Sequence, residues 1–150
     1  MRTSNSTQEP FRFRPFPLPS AFCLLPFALT RLIWLWLPVA AYMAFIFFLS
    51  SQSSLPGSSL TPDWVQHGIA YAGLAVVTLR AVSAGRWSAI GPTALALAWL
   101  IATLYGVSDE YHQSFVPGRT PDLRDVIADG AGAALALGAA WAWGIIRRSP

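Results

Sequence analysis

Apolar residues in this chain fall into stretches near the ~20 residues that a helix needs to cross a bilayer, and lipid tolerates few folds because every backbone polar group must be satisfied internally. Of the 150 residues 54% are hydrophobic and only 11% charged, too apolar for a surface that must be kept in water by dense, mixed charge. The expected class is an all-α membrane protein, one compact domain with four transmembrane helices. Cys23 is the single cysteine, which excludes an intrachain disulfide and a thiolate metal cluster. The formal net charge of +3 comes from arginines alone, scattered among the flanks of the apolar stretches. They form no basic stripe with interleaved aromatics, so nucleic acid is excluded as a partner and membrane topology accounts for them better.

Residues 1–30 contain Pro10, Pro15, Pro17, Pro19 and Pro26, with Arg12 and Arg14 alternating with phenylalanines. Proline at that density does not sustain a long helix, so the segment is expected to be a cytoplasmic or interfacial tail ahead of a domain over 31–148. Ala21 to Leu29 has the length of a signal-peptide core, but Pro26 interrupts it and no small-x-small cleavage site follows. The first span is expected from Leu32 to Ser50, opened by Arg31, marked by Trp34 and Trp36 and kinked at Pro38. A polar stretch over 52–60 leads to Thr61-Pro62-Asp63, a helix start with a threonine cap, proline in the first position and an acid at the positive dipole end. The second span runs to about Val82. Gly91-Pro92 opens the third, apolar to about Val107 and then polar through Ser108-Asp109-Glu110-Tyr111-His112-Gln113. After a Pro117-Gly118 turn, Thr120-Pro121-Asp122 repeats the helix-start signature, and the fourth span covers about Val126 to Ile146.

Arginine in short flanks marks the cytoplasmic side. Arg12, Arg14 and Arg31 place the amino end inside, Arg80 and Arg86 the loop between spans two and three, and Arg147 with Arg148 the carboxyl end. The expected location is a bacterial plasma membrane with both termini cytoplasmic. Arg119 and Arg124 lie among acids in the third loop, where local pairing is expected to override any topological signal.

The two outer loops superpose: Gln52-Ser53-x-x-Pro56-Gly57 then Thr61-Pro62-Asp63, against Gln113-Ser114-x-x-Pro117-Gly118 then Thr120-Pro121-Asp122. Read as a repeat, the chain is two helical hairpins of like orientation; the competing reading is independent use of common turn and cap chemistry. Either way the topology gathers Gln52, Asp63, His67, Tyr71, Asp109, Glu110, His112, Gln113, Arg119, Asp122, Asp125 and Asp129 at the outer end. Asp63, His67 and Tyr71 share one helix face, as do Asp122, Asp125 and Asp129. An ionised group at bilayer depth costs ~3 kcal/mol or more unless paired or wetted, so these faces should look inward on a polar cleft. Gly68, Ala72 and Ala75, with Ala128, Gly132, Ala136 and Ala140, read as close-packing residues.

At Glu110-x-x-Gln113-x-Phe115-x-Pro117-Gly118-Arg119-x-x-Asp122-x-x-Asp125-x-x-x-Asp129-x-x-Gly132 the sequence resembles the VanZ-like family of bacterial integral membrane proteins. Ser51-Gln52-Ser53 and the Asp63, His67, Tyr71 face also fit, and the resemblance covers roughly Ser50 to Gly138. Asp129 departs from a family pattern that often has asparagine there. The resemblance implies a four-helix membrane domain in the cell envelope and an association with glycopeptide-antibiotic resistance of the teicoplanin type; most members have no assigned activity.

Two functions are carried forward. In the first, Gln52, Asp63, His67, Tyr71, Glu110, Gln113, Arg119, Asp122, Asp125 and Asp129 bind a polar or cationic ligand, such as a lipid-linked wall component or a lipoglycopeptide, amid membrane lipids. In the second, the protein is a membrane-embedded hydrolase or transferase. Glu110, His67 and Asp125 are then the catalytic candidates, Glu110 as general base, and His67, Glu110, His112 and Asp125 supply ligand types for a divalent metal. The spacing matches no established metal signature, and GxSxG, HExxH and phosphate-cradling glycine loops are absent. Beside both stands a structural role: Arg119 bridging Glu110 and Asp122 to pin the third loop. Arg119 is expected to pair mainly with Glu110 or Asp125, and the Tyr71 hydroxyl with Asp63 or His67.

Overall fold

A computed structural model describes residues 21–53 and 61–146. The proline- and arginine-rich segment before Ala21, the Pro56-Gly57 turn, Arg147 and Arg148 lie outside the described residues. Four α-helices follow one another: α1 (Ala21–Ser50), α2 (Asp63–Val82), α3 (Pro92–Gln113) and α4 (Leu123–Ile146), with one 3-10 turn at Trp87–Ala89. The described residues contain no strand. By length and composition α1, α2 and α4 suffice to cross a membrane. The polar end from Ser108 to Gln113 sets α3 apart, although its 22 residues reach about 33 Å at 1.5 Å per residue.

Helix boundaries correct the sequence reading in three places. α1 begins at Ala21, well ahead of Leu32, and runs through both Pro26 and Pro38. An interior proline is costly in water, whereas in an apolar setting leaving the helix would strand still more backbone polar groups. The two Thr-Pro-Asp starts differ in register. Pro62 is the residue flanking α2, no side chain caps it, and Asp63 is already helical. In the second copy Asp122 is the cap: its Oδ1 accepts the Arg124 N–H at 2.9 Å, and α4 begins at Leu123, ahead of Val126. Gly91-Pro92 opens α3 as expected.

Small residues let the helices approach. A Cβ on Gly132 of α4 would lie 2.7 Å from the Gly68 carbonyl carbon of α2, so backbone meets backbone where these two helices cross. Ala75, Ala98, Ala102 and Ala133 are almost completely buried, with Leu74 and Thr78 among them. α1 packs on α2 and α3, with the Tyr42 ring against Gly73 and Tyr105 Oη donating to the Met43 carbonyl at 2.7 Å. Trp99 Nε1 ties α3 to α4 through the Gly130 carbonyl at 2.9 Å. Large apolar side chains such as Phe48, Ile69, Leu104 and Leu135 point outward from all four helices, which suits lipid as solvent.

Contacts between helix ends order the bundle. Ser50 at the end of α1 meets Asp109 near the end of α3, and His67 near the start of α2 meets Asp129 in the first turns of α4. At the opposite end Arg31 donates to the Ala84 carbonyl at 3.2 Å, and Arg80 to that of Trp34 at 3.4 Å. α2 closes there with a left-handed Ala84 and Gly85 (φ 52° and 70°), whose N–H groups return to Ala81 and Arg80 carbonyls, satisfying acceptors that a helix end leaves free.

Candidate functional site

Of seven acidic residues, all but Glu9 lie between Asp63 and Asp129, and the bundle brings them to one end. Four are nearly removed from solvent: Asp109 (3% exposed), Glu110 (6%), Asp125 (7%) and Asp129 (0%). His67 bridges two of them. Its Nδ1 lies 3.1 Å from Asp129 Oδ1 and its Nε2 3.8 Å from Glu110 Oε1, so one imidazole from α2 spans carboxylates of α3 and α4. Asp129 Oδ2 has no partner among the described residues and faces Gly106, where a Cβ would come within 3.1 Å of Asp129 Cγ. Glycine at that position makes room for the carboxylate.

Glu110 is held from both sides. Oε2 accepts the Asp122 backbone N–H at 2.9 Å, and Oε1 accepts from Gln113 Nε2 at 3.3 Å. The same Gln113 nitrogen lies 3.2 Å from Asp109 Oδ2, while Ser50 Oγ donates to Asp109 Oδ1 at 2.6 Å. Asp122 itself is exposed, and it caps α4 and braces Glu110 through its backbone. Arg119 departs from expectation. Its Nη1 pairs with Asp63 Oδ2 at 3.2 Å and its Nε donates to the Gln52 carbonyl at 3.1 Å, which clips the third loop to the ends of α1 and α2 in place of Glu110, Asp122 or Asp125. Gly118 in the left-handed region (φ 84°) turns the chain so that the arginine reaches that way. Gln52 contributes its backbone, since its side-chain amide folds back on the Phe48 carbonyl.

Tyr71 is 1% exposed and lies stacked beside His67, with ring centroids 6.2 Å apart. Its hydroxyl finds no partner among the described residues, so neither Asp63 nor His67 satisfies it. His112 sits apart from His67: its Nε2 is 3.0 Å from Ser51 Oγ and its ring lies against Phe47, which removes it from the metal-ligand candidates. Of those candidates His67 and Asp125 converge, joined by Asp63 in place of Glu110, with ligand atoms within 4.8 Å of one another. A cavity of about 80 Å³ is lined by Ser50, Asp63, His67, Tyr71, Asp109 and Arg119, among others, room for a few waters or one small polar group. Ser50 and Gly106 are the contributors that sequence reasoning passes over, and Asp109, placed at the outer end, is absent from its binding and catalytic candidates. The buried serine had no motif to mark it, whereas Gly106, one turn before Glu110, was visible as a small residue beneath an acid.

The polar end thus unites the elements that carry the sequence resemblance, and the VanZ/LLP1 family model matches residues 18–146. The chain belongs to the VanZ/LLP1 family. The match extends beyond Ser50 to Gly138 at both ends, taking in all of α1 and α4. Comparison with curated proteins and with solved structures gives no match. Membership and the three membrane-length helices make this a VanZ-like membrane protein.

Proposed function

We propose that this VanZ/LLP1 member crosses the bacterial plasma membrane four times, with both termini cytoplasmic, and presents its acidic end outward to bind or modulate a cell-envelope ligand. Chain continuity supports the fourth span. α2 ends beside Arg31 and Arg80 and α4 begins beside the acids; α3 is the chain between them, which supports its crossing whatever α2 and α4 cross. The observation that carries the functional reading is the set of four acids, each less than a tenth exposed, at one end of the bundle, two of them bridged by one histidine. Burying acids with so little compensation costs stability, and such groups in membrane segments usually mark working sites.

The cavity limits what enters it. A space of about 80 Å³ takes a single polar group of a ligand, and the bulk of a lipid-linked wall precursor or a teicoplanin-like lipoglycopeptide would lie outside it. An apolar groove of about 770 Å³ between α2 and α4 starts at Trp64 and Arg124, chain neighbours of Asp63 and Asp125, and extends to Ala72 and Ala136. It suits the hydrocarbon of a lipid-linked ligand, with Arg124 beside a phosphate. A metal-dependent hydrolase or transferase acting on such a lipid is the second reading, favoured by the convergence of Asp63, His67 and Asp125.

Mass spectrometry of lipids that coelute with the full chain in mild detergent tests the proposal. Wild type should retain a polyprenyl-linked species or glycolipid, and Glu110→Gln and Asp125→Asn should lose it, and lose any teicoplanin phenotype, while inserting and eluting normally. Amide variants that misfold would reassign the acids to scaffold.

A further inference from the structure

The geometry points to a divalent transition-metal site, of the Zn²⁺ or Mn²⁺ class, formed by Asp63, His67 and Asp125 at the outer ends of α2 and α4. This inference deepens the proposed outward cleft and rests on it for the side of the membrane the ion comes from. The three residues offer one nitrogen and two carboxylates, with ligand atoms within 4.8 Å of one another. Bonds of ~2.1 Å around a tetrahedral ion put ligand atoms about 3.4 Å apart, so the group must contract by roughly an ångström. Asp63 has that freedom: its side chain is 50% exposed, and its Oδ2 alone is engaged, by Arg119.

Asp125 supplies the independent sign of a ligand. It is 7% exposed, yet its carboxylate makes no hydrogen bond or ion pair with any described residue, while its neighbours Glu110, Asp109 and Asp122 are all hydrogen-bonded. A largely buried carboxylate that converges with a histidine and a second acid, with no protein hydrogen bond of its own, is arranged as a ligand would be. The cations nearby act on it without bonding to it. Arg119 is committed to Asp63 and Gln52, and the Arg124 side chain pairs with none of the described acids; only its backbone N–H is bonded, to Asp122.

His67 has the orientation a ligand histidine requires. With Asp129 ionised and the imidazole neutral, Asp129 Oδ1 at 3.1 Å accepts the Nδ1 proton, and Nε2 is then the nitrogen a metal ion would take. That Nε2 is 3.8 Å from Glu110 Oε1, too far for a hydrogen bond. A carboxylate behind a metal-binding imidazole is the usual means of fixing its tautomer and raising its basicity. The donor set contains nitrogen and no thiolate, which suits Zn²⁺ or Mn²⁺ better than Mg²⁺, an ion that prefers oxygen and retains its water. Asp129 acts here as a positioning residue.

Full-length protein in mild detergent, stripped with EDTA and titrated by calorimetry with ZnCl₂, MnCl₂ and MgCl₂, tests the site. Wild type should take up Zn²⁺ or Mn²⁺ at one ion per chain and bind Mg²⁺ more weakly. Asp125→Asn should lose the most affinity. Asp129→Asn should lose about tenfold, the lower end of the 10–100-fold usual for groups that hold a ligand histidine, because the amide oxygen still accepts from Nδ1. Asp109→Asn removes an acid of the same cluster that is already bonded to Ser50 and Gln113, and should leave affinity unchanged. Equal losses in Asp109→Asn and Asp125→Asn would mean diffuse attraction to acidic surface and would overturn the site, as would full affinity in a folded Asp125→Asn or Mg²⁺ binding as tight as Zn²⁺. Glu110→Gln separates this inference from the functional reading: it should keep the ion yet release the envelope lipid. Ion binding without lipid retention in wild type would sink the functional reading alone, and lipid retention without ion binding would sink the metal site alone.

Discussion

Arg119 has two acceptors to satisfy at once, the Asp63 carboxylate and the Gln52 carbonyl, and it does so through different nitrogens of one planar group. A lysine ammonium reaches one of them at a time. Arg119→Lys should therefore cost about 1 kcal/mol, the worth of one hydrogen bond, and lower Tm by roughly 2–4 °C for a domain of this size. Arg119→Ala should cost more. Equal melting of wild type and Arg119→Lys in detergent would show that the clip is not formed. Sequence reasoning places Arg119 among acids correctly and then chooses the wrong ones. Spacing shows which residues share a helix face, as it does for Asp63, His67 and Tyr71, but the partner of a loop arginine depends on where the turn at Gly118 aims it. The exposure of Asp122, expected to face inward with Asp125 and Asp129, and the unpartnered Tyr71 hydroxyl were beyond reach for the same reason: both follow from how helices rotate against one another.

Helix contacts were more legible than side-chain pairings. The small residues of α2 and α4 read as packing surface, and Gly68 and Gly132 form the closest approach of the two helices. α3 carries the same device at Ala94, Ala98, Ala102 and Gly106, all buried at every fourth position; its polar end drew attention from that stripe. The starts of α2 and α4 were misplaced by a few residues because Thr-Pro-Asp is compatible with either threonine or aspartate as the cap. Gly132→Ala would drive a methyl into the Gly68 backbone, which cannot move aside as a side chain could, and should cost at least the ~1–3 kcal/mol typical of overpacking. Gly138→Ala meets nothing within 4 Å and should gain up to about 1 kcal/mol of helix propensity. Thermal unfolding of the pair in one detergent checks both signs. A Gly132→Ala protein as stable as wild type would mean that α2 and α4 do not meet there.

Across the described residues, the acids gather at one end of the four helices with Arg119 and Arg124 among them, and Arg31 and Arg80 lie at the opposite end. Arg31 and Arg80 bond to backbone carbonyls at one end, and Arg119 is clipped to Asp63 at the other. A bonded arginine remains a charge, so the imbalance between the ends persists and should orient the chain during insertion. Arg80 closes α2 and Arg86 lies in the loop to α3, where Ser88 is exposed; Thr120 is exposed at the acidic end. In a Cys23→Ser background, single cysteines at Ser88 and Thr120 report these two sides. A thiol reagent that cannot cross the membrane should modify the cysteine at Thr120 in intact cells, and the one at Ser88 only after permeabilisation. The reverse pattern would invert the orientation and turn the acidic cleft toward the cytoplasm, where a wall precursor would meet it before export. Labelling of both in intact cells would mean that α3 does not cross. Since α3 joins the arginine end of α2 to the acidic end of α4, that outcome would also require α2 or α4 to leave the bilayer, although their length and apolar composition suit them to cross it.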